Sequence, residues 1–345
     1  MFEAHLDHPA FVVETVESPT VVSTTFRGGV LTPYFTDAAV ALRRADGSSA
    51  PGRVIDTTPG KEPDRPLRTA TIELDQPTDV APGDVLTWDL EASTIADGLL
   101  CAPVCDDLAS LVAALCAVDE LTTPGNATDP PTSNVRLLFT RGEEVGFVGA
   151  IAACKLETIP LGARIIALET SRSYADSPLG DGPIVRVGDR LSVFSPALTA
   201  AVVRIAHRLA GAPERLVGQP TDTKKKTEST PDAPAPMPGF RFQRKLMPGG
   251  ACEATAFGAY GFEATCVCLP LRNYHNMGDL DAVEPDAKAG TYIGAAPVAP
   301  EIISIDDFHN LVALLIACGR HLGAVEPLKD RLDKLYDQRR YVLDA

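Results

Sequence analysis

The sequence predicts an α/β protein with a mostly parallel central sheet flanked by helices, into which a small all-β domain is inserted. Three observations predict it. Residues 12–96 carry short β-type runs, Thr20–Phe26, Arg68–Leu74 and Asp84–Leu90, separated by Pro, Gly and Asp turn signals. From residue 97 apolar strand-like runs alternate with segments of helical period, the texture of βαβ units. With 345 residues, 45% of them hydrophobic, the chain is also longer than the roughly 250 residues at which one core tends to split in two. The expected division is a discontinuous domain, 1–11 with 97–345, and an inserted barrel-like β domain over 12–96.

The individual elements follow from spacing. Leu108, Leu111, Val112, Leu115, Val118 and Leu121 recur at helical intervals, with Asp106 and Asp107 immediately ahead of them. Further helices are expected at Pro196–Leu209 and Asp306–Leu322, the second opened by Ser304 and Asp307 at capping-box spacing. Apolar runs at Val135–Thr140, Ile165–Leu168 and Thr265–Leu271 read as buried strands. Residues 212–240, rich in Pro, Thr and Lys, read as a mobile insertion.

Charge and composition exclude several classes. With 46 acidic against 31 basic side chains, the net charge of −15 repels a phosphate backbone, so nucleic acid is not an expected partner. No stretch approaches the roughly 20 apolar residues of a membrane span, and the first residues carry Glu3, His5 and Asp7 instead of a basic segment followed by an apolar one; a cytoplasmic protein is expected. The eight cysteines, among them Cys116, Cys154 and Cys318 inside apolar runs, read mostly as buried free thiols. A thiolate site using Cys101 with Cys105, or Cys266 with Cys268, is disfavoured because Cys-x-Cys in an apolar run alternates along a buried strand.

Metal-capable side chains share one context: each lies at the end of an apolar run or just before a helix. His5 and Asp7 form His-x-Asp, Asp106 and Asp107 precede a helix, and Glu143 and Glu144 follow Val135–Thr140. Glu169 closes Ile165–Leu168, and His275 follows Thr265–Leu271. Open parallel sheets present functional groups at the carboxyl ends of their strands. Taken singly, the aspartates read as a helix cap, the paired glutamates as loop charges and His275 as a turn histidine. Glu169 is costly at a buried strand end without a cation nearby. Two imidazoles and three carboxylates can hold two divalent ions if one carboxylate bridges, with a neighbouring glutamate free to move protons.

The stretches AHLDHPAFVV, APVCDDLASLVAAL, TRGEEVGFVGA, IIALETS, GDGPIVRVGD, PGGACEATAF and LRNYH, in that order, resemble the glutamyl aminopeptidase or tetrahedral aminopeptidase family, which includes proteins once labelled cellulase or endoglucanase. The resemblance implies a zinc-peptidase-like fold, with the β domain between His5 and Asp106. It implies two divalent ions per chain, zinc with cobalt or manganese as alternatives, and removal of amino-terminal residues from peptides by metal-activated water. Residue by residue, it implies that His5, Asp106, Glu144, Glu169 and His275 bind metal, with Asp106 bridging. Glu143 becomes the general base and Asp7 the carboxylate that orients His5; Arg272 matches an arginine shortly before the last histidine. Self-association through the β domain is also implied.

Where relatives carry Asp, Gln before the two glutamates, and Thr-Asp after the glycines, this chain carries Glu169, Arg141-Gly142 and Ala251-Cys252-Glu253. Two other readings stay open: a metal-dependent deacylase or amidase, and an inactive relative serving as a binding or assembly module. Only four residues precede His5, too few for a usual strand, so Met1–Leu6 reads as a fraying stub. The family places a helix and strands before this histidine. A longer functional chain, or exposed apolar surface in this one, is therefore expected.

Overall fold

The computed structural model describes residues 1–60, 67–123, 134–212 and 234–343. β1 (Phe2–His5) leads directly into a closed barrel of six strands: β2 (Ala10–Ser18), β3 (Val21–Arg27), β4 (Ala39–Arg43), β5 (Ser49–Thr58), β6 (Arg68–Leu74) and β7 (Val85–Trp88). Their order around the barrel is β2-β3-β6-β5-β4-β7. Alternate residues point inward, among them Phe11 and Val13 of β2, Val22 and Phe26 of β3, and Leu86 and Trp88 of β7. Phe11, Phe26, Phe35 and Trp88 pack mostly edge to face inside, with neighbouring ring centroids 4.8 to 5.9 Å apart.

The chain leaves the barrel through β8 (Thr94–Ala96) and β9 (Leu99–Ala102) and continues as α1 (Leu108–Thr122), β10 (Leu137–Thr140), α2 (Val148–Lys155), β11 (Arg164–Arg172) and β12 (Ile184–Gly188). Then follow α3 (Pro196–Leu209), β13 (Gln243–Leu246), α4 (Glu253–Ala259), β14 (Glu263–Leu271), α5 (Leu280–Ala289), β15 (Glu301–Ser304), α6 (Ile305–His321) and α7 (Leu328–Arg339). The main sheet has the order β10-β1-β11-β14-β12-β13, and every neighbouring pair is parallel except β14 with β12. β9 lies in a separate small sheet between β15 and β8.

Helices α1, α3 and α6 share one core with the sheet, while α2 and α4 contribute to a second. A sheet covered by two cores buries both sides of its strands, which is why β11 and β14 are near-continuous apolar runs. β1 is short, as expected, but it does not stand at an edge. It pairs with β10 on one side and β11 on the other, all four residues are buried, and the Met1 ammonium donates to the Arg164 carbonyl at 2.8 Å.

Local expectations differ from the structure in two places. Leu108, Val112 and Leu115 are exposed on α1, and Cys116 with them. The buried face of α1 keeps Leu111 and Leu121 and is otherwise built from Ala109, Ala113, Ala114 and Ala117, small residues that let the helix approach α6 and the sheet closely. Glu169 lies inside β11 and does not close it, because Thr170, Ser171 and Arg172 stay in register with Leu269, Pro270 and Leu271 of β14. Of the 212–240 insertion, residues 213–233 lie outside the described residues. The cap of α6 is as expected, with Ser304 Oγ accepting the Asp307 N–H at 3.3 Å. Among the described residues no helix is long and apolar enough to cross a membrane.

Candidate metal centre

Parallel strands end on the same side of a sheet, so His5 at the end of β1, the 141–144 loop after β10 and the 272–276 loop after β14 converge. The His5 ring is fixed by Nδ1 hydrogen-bonded to the main-chain carbonyl of Asp7 at 2.9 Å, which turns Nε2 inward. The Asp7 carboxylate lies 3.8 Å from the same nitrogen. Its main contacts are with the next loop, whose Gly142, Glu143 and Glu144 amides donate to it at 2.8, 3.3 and 3.3 Å. Asp7 thus orients His5 through its carbonyl and holds both glutamates through its side chain.

At the centre, Asp106 turns Oδ1 toward Nε2 of His5 at 3.4 Å and Oδ2 toward Nε2 of His275 at 3.6 Å. Glu144 Oε2 lies 3.2 Å from the same His275 nitrogen. One ligand atom each from His5, Asp106 and Glu144 falls within 4.8 Å of the others. Asp106 Oδ1, Glu144 Oε1 and Glu169 Oε1 are buried and have no hydrogen-bond partner. Such orphaned carboxylate oxygens are expensive in a dry interior unless a cation meets them, so these side chains fit divalent ions. Neither aspartate acts as a helix cap: Asp107, at the N-cap of α1, makes no side-chain capping bond, and both its oxygens are unpartnered.

The electrostatics agree. Burial alone would depress the His275 ring, but Glu144 and Asp106 outweigh it and raise its pKa to about 10. His5 is likewise held well above its ordinary value, against burial, by Asp106 and Asp107. Burial pushes Glu169 well up, with Glu143, Cys252 and Asp106 adding to it and Arg186 opposing. Glu143 is raised by burial and by Glu144 and Asp106, against the pull of His5. Arg272 has an exposed side chain, and its backbone forms a two-way bridge with Ile302.

Several residues around the centre were not singled out by the sequence. Glu301 is fully buried and accepts the amides of Cys105, Asp106 and His275 at 2.7, 2.9 and 2.9 Å. His8 reaches the Asp106 carbonyl at 2.7 Å and Asn276 Oδ1 at 2.9 Å. The barrel contributes Gly29, whose carbonyl meets His275 Nδ1 at 3.0 Å. Glu3 and Glu253 are buried and share the Thr140 hydroxyl at 3.1 and 2.7 Å. His8 stands in the same HLDH run as His5, the one signal that could have found it. Glu301 had none, since its partners are remote in sequence. A cavity of about 420 Å³ opens beside Glu169, lined also by Tyr174, Arg186, Met247, Gly250 and Leu280.

A parallel-rich sheet flanked by helices, with a small barrel after its first strand, is a fold this chain shares with solved TET aminopeptidases. Residues 1–225 match the model of the M42 glutamyl aminopeptidase family, and the chain belongs to that family. Among solved structures it is similar to an aminopeptidase from the archaeon Desulfurococcus kamchatkensis, with 18% identity and a TM-score of 0.61 over 93% of this chain and 78% of that one. A TET aminopeptidase from a marine sediment Thaumarchaeota archaeon gives 16% and 0.62 over 93% and 80%. The Pyrococcus horikoshii TET1 peptidase, described as assembling into a tetrahedron or a large octahedral shell, gives 17% and 0.61 over 92% and 82%. At these identities the likeness is one of fold. A search of curated proteins by sequence gave no match.

Proposed function

We propose that this chain is a two-metal aminopeptidase that removes amino-terminal residues from peptides. The observation that carries the reading is the Asp106 carboxylate set between two inward-facing imidazoles, with Glu144 beside one of them. His5 and Glu169 would serve different ions, with Glu144 and His275 completing the set and Asp106 common to both. Zinc is the expected metal, with cobalt or manganese as alternatives. When bound, the pair supplies Lewis acidity toward the scissile carbonyl and a more acidic water. Glu143, poised by burial and its acidic neighbours, takes the proton of the attacking water at a carboxylate oxygen and passes it to the leaving amine. Asp7 keeps that carboxylate in reach by holding the loop amides. The cavity beside Glu169 would receive the first side chain of the peptide.

Residues 12–96, as an inserted domain, would mediate self-association, a reading supported by the assemblies named for the TET relative. Light scattering on the intact chain and on variants of the outward barrel face tests it, and a monomer at all concentrations would end it. For the activity, the chain is stripped with a chelator, reloaded with Zn²⁺, Co²⁺ or Mn²⁺, and offered aminoacyl and N-acetyl-aminoacyl substrates. Cleavage of the free-amine series alone, dependent on about two ions per chain, is the expected result. Preference for the acylated series would identify a deacylase, and retention of metal without turnover an inactive relative.

A further inference from the structure

Asp106 and His275 are carried on loops that share no strand ladder or helix, yet their side chains must meet within a few tenths of an ångström of a fixed spacing to hold one ion. The structure joins these loops through residues whose hydrogen bonds reach main-chain groups of the two ligands and not their side chains. Glu301 opens β15, which pairs antiparallel with β9 so that Glu301 faces Ala102, four residues before Asp106. The next residue, Ile302, bridges Arg272, three residues before His275. The backbone of Glu301 is therefore anchored to both segments, and its buried carboxylate spans them. Oε2 accepts Cys105 N–H and Asp106 N–H, and Oε1 accepts His275 N–H. The His275 amide can point there because Asn273, His275 and Asn276 adopt left-handed backbone angles, with φ of 58°, 55° and 62°.

His8 closes the same joint from the other side. One ring nitrogen meets the Asp106 carbonyl and the other meets Asn276 Oδ1, while Asn276 Nδ2 donates to the Pro103 and Ala299 carbonyls. Asp106 is thus gripped at its N–H by Glu301 and at its C=O by His8. Each gripping residue also holds the 273–276 loop. Resting on the reading of Asp106 and His275 as ligands of one ion, we infer that Glu301 and His8 are positioning residues that set the separation between them.

The acid is required at 301 for a chemical reason. Three N–H donors need acceptors on both arms of the side chain. A glutamine offers one oxygen, and its –NH₂ would face either the His275 amide or the Cys105 and Asp106 amides, donor against donor. Glu301→Gln therefore releases one loop from the other while leaving every ligand in place.

The test uses the full chain, stripped with a chelator and titrated with Co²⁺ alone, read by competition with a chromophoric chelator and by the visible absorption of the bound ion. Glu301→Gln should weaken Co²⁺ binding by about 10- to 100-fold and shift the cobalt bands. Glu301→Asp, which keeps two acceptor oxygens, should recover part of the loss. His8→Ala should weaken binding too, and the double variant should lose less than the product of the two single losses, since both grip the one residue Asp106. Asp307→Asn is the control: Asp307 is an equally buried carboxylate that accepts the Gly180 and Gly182 amides elsewhere. Wild-type affinity and spectrum in Glu301→Gln, or an equal loss in Asp307→Asn, would overturn the inference. If Glu301→Gln does not fold, Glu301→Asp and His8→Ala are judged by the same two readouts. A wild-type chain that binds no Co²⁺ would fail at the first titration, and would remove the metal reading and this inference together.

Discussion

Oδ2 of Asp106 faces Nε2 of His275 at 3.6 Å while its other oxygen faces His5 at 3.4 Å, so a single carboxylate addresses two imidazoles brought from opposite ends of the chain. An amide at this position offers one oxygen and no charge. Asp106→Asn is expected to reduce metal content at both sites together, with activity falling by about 100-fold or more. Metal analysis after dialysis decides it, and an Asn variant that keeps its full complement would show that Asp106 does not bridge.

Glu143 and Glu144 are held by the same Asp7 carboxylate, but only Glu144 lies against His275. Glu143→Gln should therefore lower kcat by about 10²- to 10⁴-fold while metal content stays near that of the parent. Loss of the ions in this variant would exchange the roles of the two glutamates.

The raised pKa of His275 gives a signed prediction for the metal-free protein. Its ring titrates at about 10 when folded, against an ordinary value of 6.5. Between these values the folded chain holds a proton that the unfolded chain has lost. The stabilisation is thus complete below about pH 6.5 and disappears as pH rises through about 10. Urea midpoints in excess chelator should fall over this window. With ions present the order should flatten or reverse, since the imidazole must be neutral to bind metal and binding releases its proton. Midpoints that rise from pH 7 to 9.5 in chelator would contradict the assignment.

Phe11 is fully buried against Phe26, Phe35 and Trp88 at the centre of the barrel. Truncation to Ala should cost about 3 to 5 kcal/mol, visible as an earlier change in Trp88 fluorescence during unfolding. A cost under about 1 kcal/mol would mean that the barrel core repacks freely.

The sequence by itself determined what depends on near neighbours. The β-type runs that became β3 and β6, the apolar runs that became β11 and β14, and the Ser304–Asp307 cap of α6 are local patterns, and local backbone geometry answers to them directly. So does the crowding of His, Asp and Glu at run ends, because parallel strands must finish on one edge of a sheet. Tertiary structure decided the rest. Whether Leu108, Val112 and Leu115 or the alanines of α1 faced inward depended on how closely α6 approached, and whether β11 stopped at Glu169 depended on the length of β14. That Glu301 would bind the amides of Asp106 and His275 could not be read from any window of the chain. A hydrogen bond between residues almost 200 positions apart exists only once separate strands have paired and brought its two ends within 3 Å.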